Sequence, residues 1–301
     1  MKNYKKIFNE NGYCILTSKF SNKIIDNARQ SFVGILKKSK NAIYKKIRVY
    51  DDYSSIANIA GIENIFDKDI VDQDILNLVN ESDIISLAKS ILDEDEIVLV
   101  LSRYHVTNDF THLGIWHRDQ EPNNLQSVQI NIYLYDESGM DIIPNSNQRK
   151  NLIEEDLVFN TCRYLSLTNS TPIKVDGGEI LAFDPSLIHR GRSLENRAHL
   201  HFRFQKKKTL PELEDKSSAL NYLNFYNVDQ DLKNVLLGSA RHGYIYDCNE
   251  YNHNSSFKSV MLRIFRYLIH KLLFFLPYDH KIYGAFNVRP CLKKRKFFNL
   301  V

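Results

Sequence analysis

Two patterns of apolar and polar residues divide the chain. In the N-terminal third, apolar residues recur every three or four positions, which predicts helices that bury one face. The predicted helices are 3–11, 22–38, 73–79 and 82–92, with Ser82 as the N-cap of the last. A short strand is predicted at 13–16 and another around 46–50. The helix 22–38 is expected to lie on the outside of a sheet.

From Ile97 onward apolar and polar residues alternate, which predicts a series of strands. The predicted strands are 97–105, 113–117, 126–135, 141–143, 161–166, 171–175, 179–183 and 197–204, with turns at 136–139 and at a Gly177-Gly178 hairpin. In 126–135 the polar face carries Gln129 and Asn131. Alternation alone does not say which face is inside: an interior face makes these two residues candidate ligand-binding groups, and a solvent face gives them no role.

The composition is that of a globular protein, with 43% hydrophobic and 25% charged residues in 301 residues. The four cysteines are scattered without CxxC spacing, which argues against a disulfide framework or a zinc site. The N-terminal residues carry charge and no apolar segment, and no run of apolar residues is long enough to span a membrane. We therefore expect a cytoplasmic protein.

Basic charge is concentrated near the C-terminus. Residues 257–301 hold ten Lys/Arg and one acidic residue, Asp279, a net charge of +9, whereas the whole chain carries +4. Residues 221–228, 229–237 and 257–276 have helical patterns, with 238–246 irregular between them, and 257–276 has a broad apolar face. Two alternatives stay open: this face packs on the rest of the protein or on a neighbouring subunit, or it lies on an anionic membrane.

The candidate chemistry lies in two short segments. His117 and Asp119 form a His-x-Asp motif after a predicted strand, and His189 follows the strand that begins at the glycine pair. Two imidazole nitrogens and one carboxylate oxygen can bind a metal and leave coordination positions open. The alternative is that His117 and Asp119 are surface loop residues, but the strands on both sides of the motif favour a shared site.

The last predicted strand has a cationic face. Arg197, His199, His201 and Arg203 alternate with apolar residues along it. A guanidinium can bind a carboxylate through two hydrogen bonds, so Arg197 and Arg203 are candidate anchors for an acidic ligand. His199 and His201 are expected to line a cavity, and the alternative is a basic stripe that faces solvent.

Taken in order, these segments resemble the phytanoyl-CoA dioxygenase family. The resemblance runs over about residues 5 to 206 and rests on the Phe8–Leu16 segment, the His117-x-Asp119 motif, Ile142–Ser146, and the Gly178–Phe183 segment with His189. The family usually has Pro-Gly-Ser-His where this chain reads Pro144-Asn-Ser-Asn147. The resemblance implies a mainly β fold with flanking helices (α+β), a double-stranded β-helix or jelly roll, in 1–206, with a helical basic extension in 207–301.

The same resemblance implies an oxygenase that depends on Fe(II), 2-oxoglutarate and O₂. His117, Asp119 and His189 would bind iron, and Arg197, with Arg203 as the alternative, would hold the distal carboxylate of 2-oxoglutarate. If the polar face of 126–135 is interior, Gln129 and Asn131 are candidate hydrogen-bonding partners of the co-substrate carboxylate or of the substrate. A carboxylate ligand at Asp119 favours a hydroxylase, because related halogenases have a small residue there. A cupin-like non-oxidative metal enzyme and a catalytically silent binding module on the same barrel are the alternatives.

The basic, apolar C-terminal segment suggests an amphiphilic anionic substrate. In this respect the chain resembles the Kdo 3-hydroxylases, which modify the inner-core sugar of lipopolysaccharide. That resemblance implies a glycolipid substrate and a peripheral location on the inner face of the membrane, reached through residues 257–301. Smaller substrates such as acyl-CoA thioesters or amino acids stay open, no nucleic acid partner is expected, and the sequence does not indicate an oligomeric state.

Overall fold

The computed structural model describes most of the chain. The described residues are 2–17, 20–40, 49–51, 59–68, 70–106, 110–113, 116–160, 166–193, 198–211, 215, 217–242 and 291–294. Arg197, nearly all of the predicted strand 161–166, and the predicted helix 257–276 lie outside these residues.

Helices and strands are interspersed along the described residues. The α-helices are α1 (Lys2–Asn11), α2 (Asn22–Lys40), α3 (Gln73–Glu81), α4 (Ile84–Leu92), α5 (Ile153–Asn160) and α6 (Gln230–Arg241), and 3₁₀ helices form at Ser146–Gln148, Lys207–Thr209 and Ser217–Phe225. The strands are β1 (Tyr13–Leu16), β2 (Val49–Asp51), β3 (Ile59–Glu63), β4 (Ile97–Val106), β5 (Phe110–Leu113), β6 (Ser127–Tyr133), β7 (Glu137–Ile142), β8 (Thr171–Val175), β9 (Ile180–Phe183), β10 (His189–Ser193), β11 (Ala198–Lys206) and β12 (Cys291–Lys294).

The strands form two antiparallel sheets. The larger sheet has the order β1-β9-β6-β11-β4-β3-β2, and the smaller has the order β12-β5-β10-β7-β8. From β4 to β11 the chain passes repeatedly between the sheets, so that several neighbours, such as β4 and β11 or β5 and β10, are far apart in sequence. This strand order is consistent with the predicted jelly roll.

The helices cover the outer face of the larger sheet. The main hydrophobic core joins the buried sides of α2, α3, α4 and α6 to the outward residues of β4, β6 and β11. Phe32 of α2, for example, meets Tyr104 of β4 edge to face, with 5.3 Å between ring centroids. The predicted period-two pattern of β6 is confirmed here, because Val128, Ile130 and Ile132 all lie in this core.

A second core lies between the sheets. It contains Tyr133, Met140, Ile142, Ile173, Val175, Leu181, Phe183 and Leu187 from β6 to β9 and the following turn. The glycine pair was predicted to form a hairpin, and that prediction is wrong: β8 belongs to the smaller sheet and β9 to the larger. Gly178, with φ of 93°, turns the chain from one sheet to the other, and its N–H donates to the carbonyl oxygen of Tyr133.

Some boundaries differ from the prediction because side chains have local partners. Ser82 was predicted as an N-cap, but it ends α3 and its hydroxyl donates to the carbonyl oxygen of Val79. The turn predicted at 136–139 is wrong, since β7 begins at Glu137, whose buried carboxylate lies 3.2 Å from His199. Helix α5 was not predicted, because its apolar residues do not mark its buried face. Glu155 is buried against Arg149, whereas Ile153 is 90% exposed.

Residues after β11 contribute to the same main core. The predicted helix 221–228 is a 3₁₀ helix that starts earlier, at Ser217, and α6 continues to Arg241 through part of the segment predicted to be irregular. The Ser239 hydroxyl explains the longer helix, because it is buried and accepts a hydrogen bond from the Leu99 N–H, 2.7 Å away. Among the described residues, no helix has the length and apolar character that crossing a membrane requires.

Candidate metal centre

The main chain holds His117 against His189. The two residues exchange both of their backbone N–H to carbonyl hydrogen bonds, each 3.0 Å long, where the chain beyond β5 meets the start of β10. Their rings consequently lie on the same side, with 4.3 Å between centroids. An antiparallel pair of this kind brings side chains from distant positions in the sequence close together.

Asp119 completes the group. Its N–H donates to the carbonyl oxygen of Pro185, in the turn that leads to His189, and its Oδ1 lies 3.5 Å from Nε2 of His117. One ligand atom from each of His117, Asp119 and His189 lies within 4.8 Å of the other two, a spacing that a single metal ion can bridge. The structure therefore brings together all three residues that the sequence predicted as metal ligands.

The protonation of the site suits a cation. Burial, followed by the nearby His117, lowers the pKa of His189 to about 3, so that the ring is neutral. Nδ1 of His189 lies 2.9 Å from the carbonyl oxygen of Leu187 and can donate to it, which leaves Nε2 with its lone pair for a metal. Burial acts to raise the pKa of Asp119, but His189, Arg203 and His117 outweigh it and keep the pKa below its usual value.

Arg118 ties together the loops around these ligands. It lies between His117 and Asp119 in sequence, and its guanidinium is half-buried among main-chain oxygens. It donates to the carbonyl oxygens of Ser146, Ser186 and Arg149 and to the side chain of Asn151. One cation therefore connects the motif, the turn before His189 and the loop after β7. No pattern in the sequence indicated this role, because an arginine beside a motif is usually exposed.

The loop after β7 also supports the turn before His189. The Ser146 hydroxyl accepts a hydrogen bond from the Ile188 N–H at 2.8 Å. The Asn147 amide donates to Asp184 at 3.0 Å, and Asp184 in turn accepts from the Ser186 hydroxyl at 2.6 Å. The segment that departs from the family pattern, Pro144-Asn-Ser-Asn147, thus holds the second histidine in place.

The polar face of β6 and the cationic face of β11 look into the space between the sheets. Gln129 and Asn131 are 5% and 2% exposed, which decides between the two alternatives that alternation had left open. Arg203 donates to the carboxylate of Asp119 and, at 2.7 Å, to the side-chain oxygen of Gln129. Arg203 therefore lies beside Asp119 with Gln129 next to it, Asn131 follows two residues along β6, and Arg197 lies outside the described residues.

The interior polar group extends beyond the predicted residues. His199 is paired with Glu137 at 3.2 Å, and both side chains are about 1% exposed. Arg103 of β4 faces His201, with 3.5 Å between its Nη2 and the ring nitrogens. Arg103 and Glu137 were not predicted as site residues, because the sequence of β4 does not show which of its faces is inside and Glu137 was assigned to a turn.

Comparisons with known proteins identify the fold. No protein-family model and no curated protein matches the chain. Among solved structures, EctD from S. alaskensis, crystallised with 2-oxoglutarate and 5-hydroxyectoine, has a TM-score of 0.54 and 16% identity, covering 71% of this chain and 78% of that chain.

Two further structures give similar values. AviO1 from Streptomyces viridochromogenes Tue57 has a TM-score of 0.51 and 16% identity over 68% of this chain and 94% of that chain. SnoK, a non-heme alpha ketoglutarate dependent carbocyclase from nogalamycin biosynthesis, has a TM-score of 0.50 and 12% identity over 69% and 84%. At these identities the similarity shows a shared fold, and the resemblance to the phytanoyl-CoA dioxygenase family stays a prediction.

Proposed function

We propose that this protein is a dioxygenase that uses Fe(II), 2-oxoglutarate and O₂ to hydroxylate an anionic substrate. The observation that carries the proposal is the convergence of His117, Asp119 and His189 within 4.8 Å, beside the guanidinium of Arg203. Two imidazoles and one carboxylate suit Fe(II) and leave positions for a bidentate 2-oxo acid and for O₂. When bound, iron and co-substrate supply the O₂-dependent oxidation of a C–H bond, with succinate and CO₂ as co-products.

The residues of the chain have separate tasks in this reaction. His189, neutral and held by the Leu187 carbonyl, presents Nε2 to the metal, and His117 is set opposite it by the paired main chain. Arg203 orients the Asp119 carboxylate. The Arg118 contacts fix the two loops that carry these ligands, which limits movement of the ligand set when a metal binds.

The interior beneath the triad favours a co-substrate with two carboxylates. Arg203 and Arg103 both face this space, and the nearby Arg103 contributes to lowering the pKa of Arg203, after the larger effect of burial. Two guanidiniums so close together are stabilised by anions. 2-Oxoglutarate has one carboxylate next to the metal-binding keto group and a second at its far end, so it can neutralise both. EctD was crystallised with 2-oxoglutarate, and SnoK is described as alpha ketoglutarate dependent. Both share the fold of this chain.

For the substrate, only its negative charge and amphiphilic character are proposed. An anionic, amphiphilic substrate is consistent with the basic segment 257–301, but that segment lies outside the described residues apart from β12. The Kdo sugar of lipopolysaccharide, docking on the inner face of the membrane, and a cytoplasmic location all stay predictions. Hydroxylation is the specific reaction proposed, because Asp119 occupies the position of the carboxylate ligand.

Anaerobic titration tests the proposal directly. Purified protein with Fe(II) should develop a weak visible charge-transfer band when 2-oxoglutarate is added, and admission of O₂ should release succinate. Asp119→Ala should show neither, whereas Asp95→Ala, a change to another acidic residue that is outside the site, should show both. No band and no succinate from the unaltered protein would contradict the proposal and favour a non-oxidative cupin-like enzyme or a silent binding module.

A further inference from the structure

Three neighbouring strands present ordered rows of polar side chains to the interior. In the strand register, His201 of β11 pairs with Arg103 of β4 on one side and with Asn131 of β6 on the other. The metal row contains Arg203 and Gln129, the middle row contains Arg103, His201 and Asn131, and the deep row contains His105, His199 and Tyr133. The intervening residues of these strands lie in the main core under the helices. The three rows therefore share one face and differ in depth below the candidate metal centre.

In the metal row, Arg203 already contacts one of the three candidate metal ligands. Arg203 donates to Asp119 and to Gln129, so its guanidinium lies at the edge of the metal centre. A 2-oxo acid that chelates the metal has its first carboxylate and its keto oxygen at this level. Arg203 is therefore positioned for groups close to the metal, and the distal carboxylate of 2-oxoglutarate lies three carbon–carbon bonds beyond the keto carbon.

The middle row lies one step deeper and has the groups that a carboxylate requires. Two residues along an antiparallel strand span about 6.8 Å, so the middle row is separated from Arg203 by roughly the length of a short acyl chain. Arg103 supplies a guanidinium, 3.5 Å from the ring of His201. Asn131 is 2% exposed, and its side-chain NH₂ group can donate a hydrogen bond to a carboxylate.

The deep row is unsuited to an anion. His199 is paired with the Glu137 carboxylate at 3.2 Å, and its ring stacks on His105 with 4.9 Å between centroids. The ring of Tyr133 lies on another side of His199, also at 4.9 Å. A second carboxylate placed here would meet the buried charge of Glu137. An anion that enters between the sheets is thus held above this row.

We propose that Arg103 of β4, with His201 and Asn131 beside it, binds the distal carboxylate of 2-oxoglutarate, in place of an arginine of the last strand. The inference rests on the proposed function and assigns one of its binding groups to a different strand. Arg103 and the carboxylate form a charge-assisted pair, and the Asn131 amide contributes a hydrogen bond. Arg203 then stays at the metal, where it contacts Asp119 and the first carboxylate. Specificity for a five-carbon dicarboxylate follows from the distance between the metal row and the middle row.

The test compares two co-substrates that differ only at the distal end. 2-Oxoglutarate and 2-oxovalerate have the same chain length and chelating group, but 2-oxovalerate has no distal carboxylate. Full-length protein with Fe(II), kept anaerobic, is titrated with each acid, and the dissociation constants are taken from the charge-transfer band and from calorimetry. The unaltered protein should prefer 2-oxoglutarate by roughly two orders of magnitude, because 2-oxovalerate cannot form the charge-assisted pair with the Arg103 guanidinium.

Arg103→Met should remove most of this preference, and its affinity for 2-oxovalerate should change little. Arg103→Gln keeps a polar side chain with a hydrogen-bond donor but removes the charge. It should also lose most of the preference, and it replaces the methionine variant if that variant does not fold. Arg203→Met should weaken both acids together and keep the preference. Arg241→Met, a change on the exposed side of α6, is the control for loss of a positive charge.

Each outcome has a distinct meaning. If Arg103→Met and Arg103→Gln keep the preference, or if Arg203→Met alone loses it, the assignment to Arg103 is overturned while the proposed function stands. If the unaltered protein forms no chelate with either acid, the proposed function itself fails. Equal affinity of the unaltered protein for both acids would show that no residue of the chain binds the distal carboxylate.

Discussion

Arg203 donates a hydrogen bond to Asp119, the single carboxylate of the candidate metal centre. The contact joins β11 to the loop after β5, across the space between the sheets. The contact contributes, after the nearby His189, to keeping the pKa of the partly exposed Asp119 carboxyl below its usual value, against the opposing effect of burial. It also places the positive charge of Arg203 beside the position of a divalent cation. Arg203 therefore orients the Asp119 carboxylate but also repels the metal to some extent.

Loss of either the carboxylate or the buried imidazole should abolish iron retention. Asp119→Ala and His189→Ala each leave two protein ligands, too few for stable binding with open positions. Iron that remains after gel filtration, measured by atomic absorption, should fall to background in both variants. Near-normal turnover of either one at limiting iron would mean that the ligand set is misassigned.

Arg118→Met should lower iron affinity by about 10- to 100-fold without abolishing binding, as is typical when groups that support metal ligands are removed. The reason is the loss of contacts to the loops before His189 and after β7. Competition with a coloured chelator measures the affinity. Arg149→Met is the matched control. Arg149 lies in the loop after β7, its substitution removes the ion pair with Glu155, and the variant should bind iron nearly normally. Equal losses in the two variants would indicate general loop damage instead.

Metal-free protein should lose stability as the pH falls from about 6.5 towards 3. His189 has a folded-state pKa of about 3, below its unfolded value, so between these pH values the unfolded chain binds a proton that the native protein does not. The contribution is at most about 1.4 kcal/mol per pH unit. Urea unfolding at several pH values measures it. His189→Gln should flatten this part of the profile, and an unchanged slope would show that other groups cause the loss.

The C-terminal basic segment should mediate binding to anionic vesicles if it lies on a membrane. Truncation is a poor test, because β12 pairs with β5, the strand before the metal motif. Arg263→Glu with Arg266→Glu in the full-length chain removes positive charge from 257–276 and leaves β12 intact. Co-sedimentation with anionic vesicles should weaken in this variant, while 2-oxoglutarate-dependent iron chemistry should persist. Binding that is absent in both proteins favours packing of the helix on the protein.

The sequence predicted those parts of the site that short motifs encode. The spacing of His117 and Asp119, and the position of His189 after an apolar strand, pointed to three residues that the structure brings together, and their binding of a metal stays a prediction. The inward direction of Gln129 and Asn131 required the structure, since a period of two has the same form whichever face is inside. Arg103 was missed for a related reason: it alternates with Ser102 and Tyr104 in β4, and the alternation alone did not show that its face looks between the sheets.

The pairing of β12 with β5 has a consequence for how the protein folds. Cys291 pairs with His112, although more than half of the chain separates them. The edge of the smaller sheet next to the metal motif therefore stays open until residues 291–294 have left the ribosome. An unpaired edge is a template for association with other chains, and contacts so distant in sequence form slowly. We expect newly made protein to be most prone to aggregation in that interval, and to depend then on chaperones that cover exposed strands.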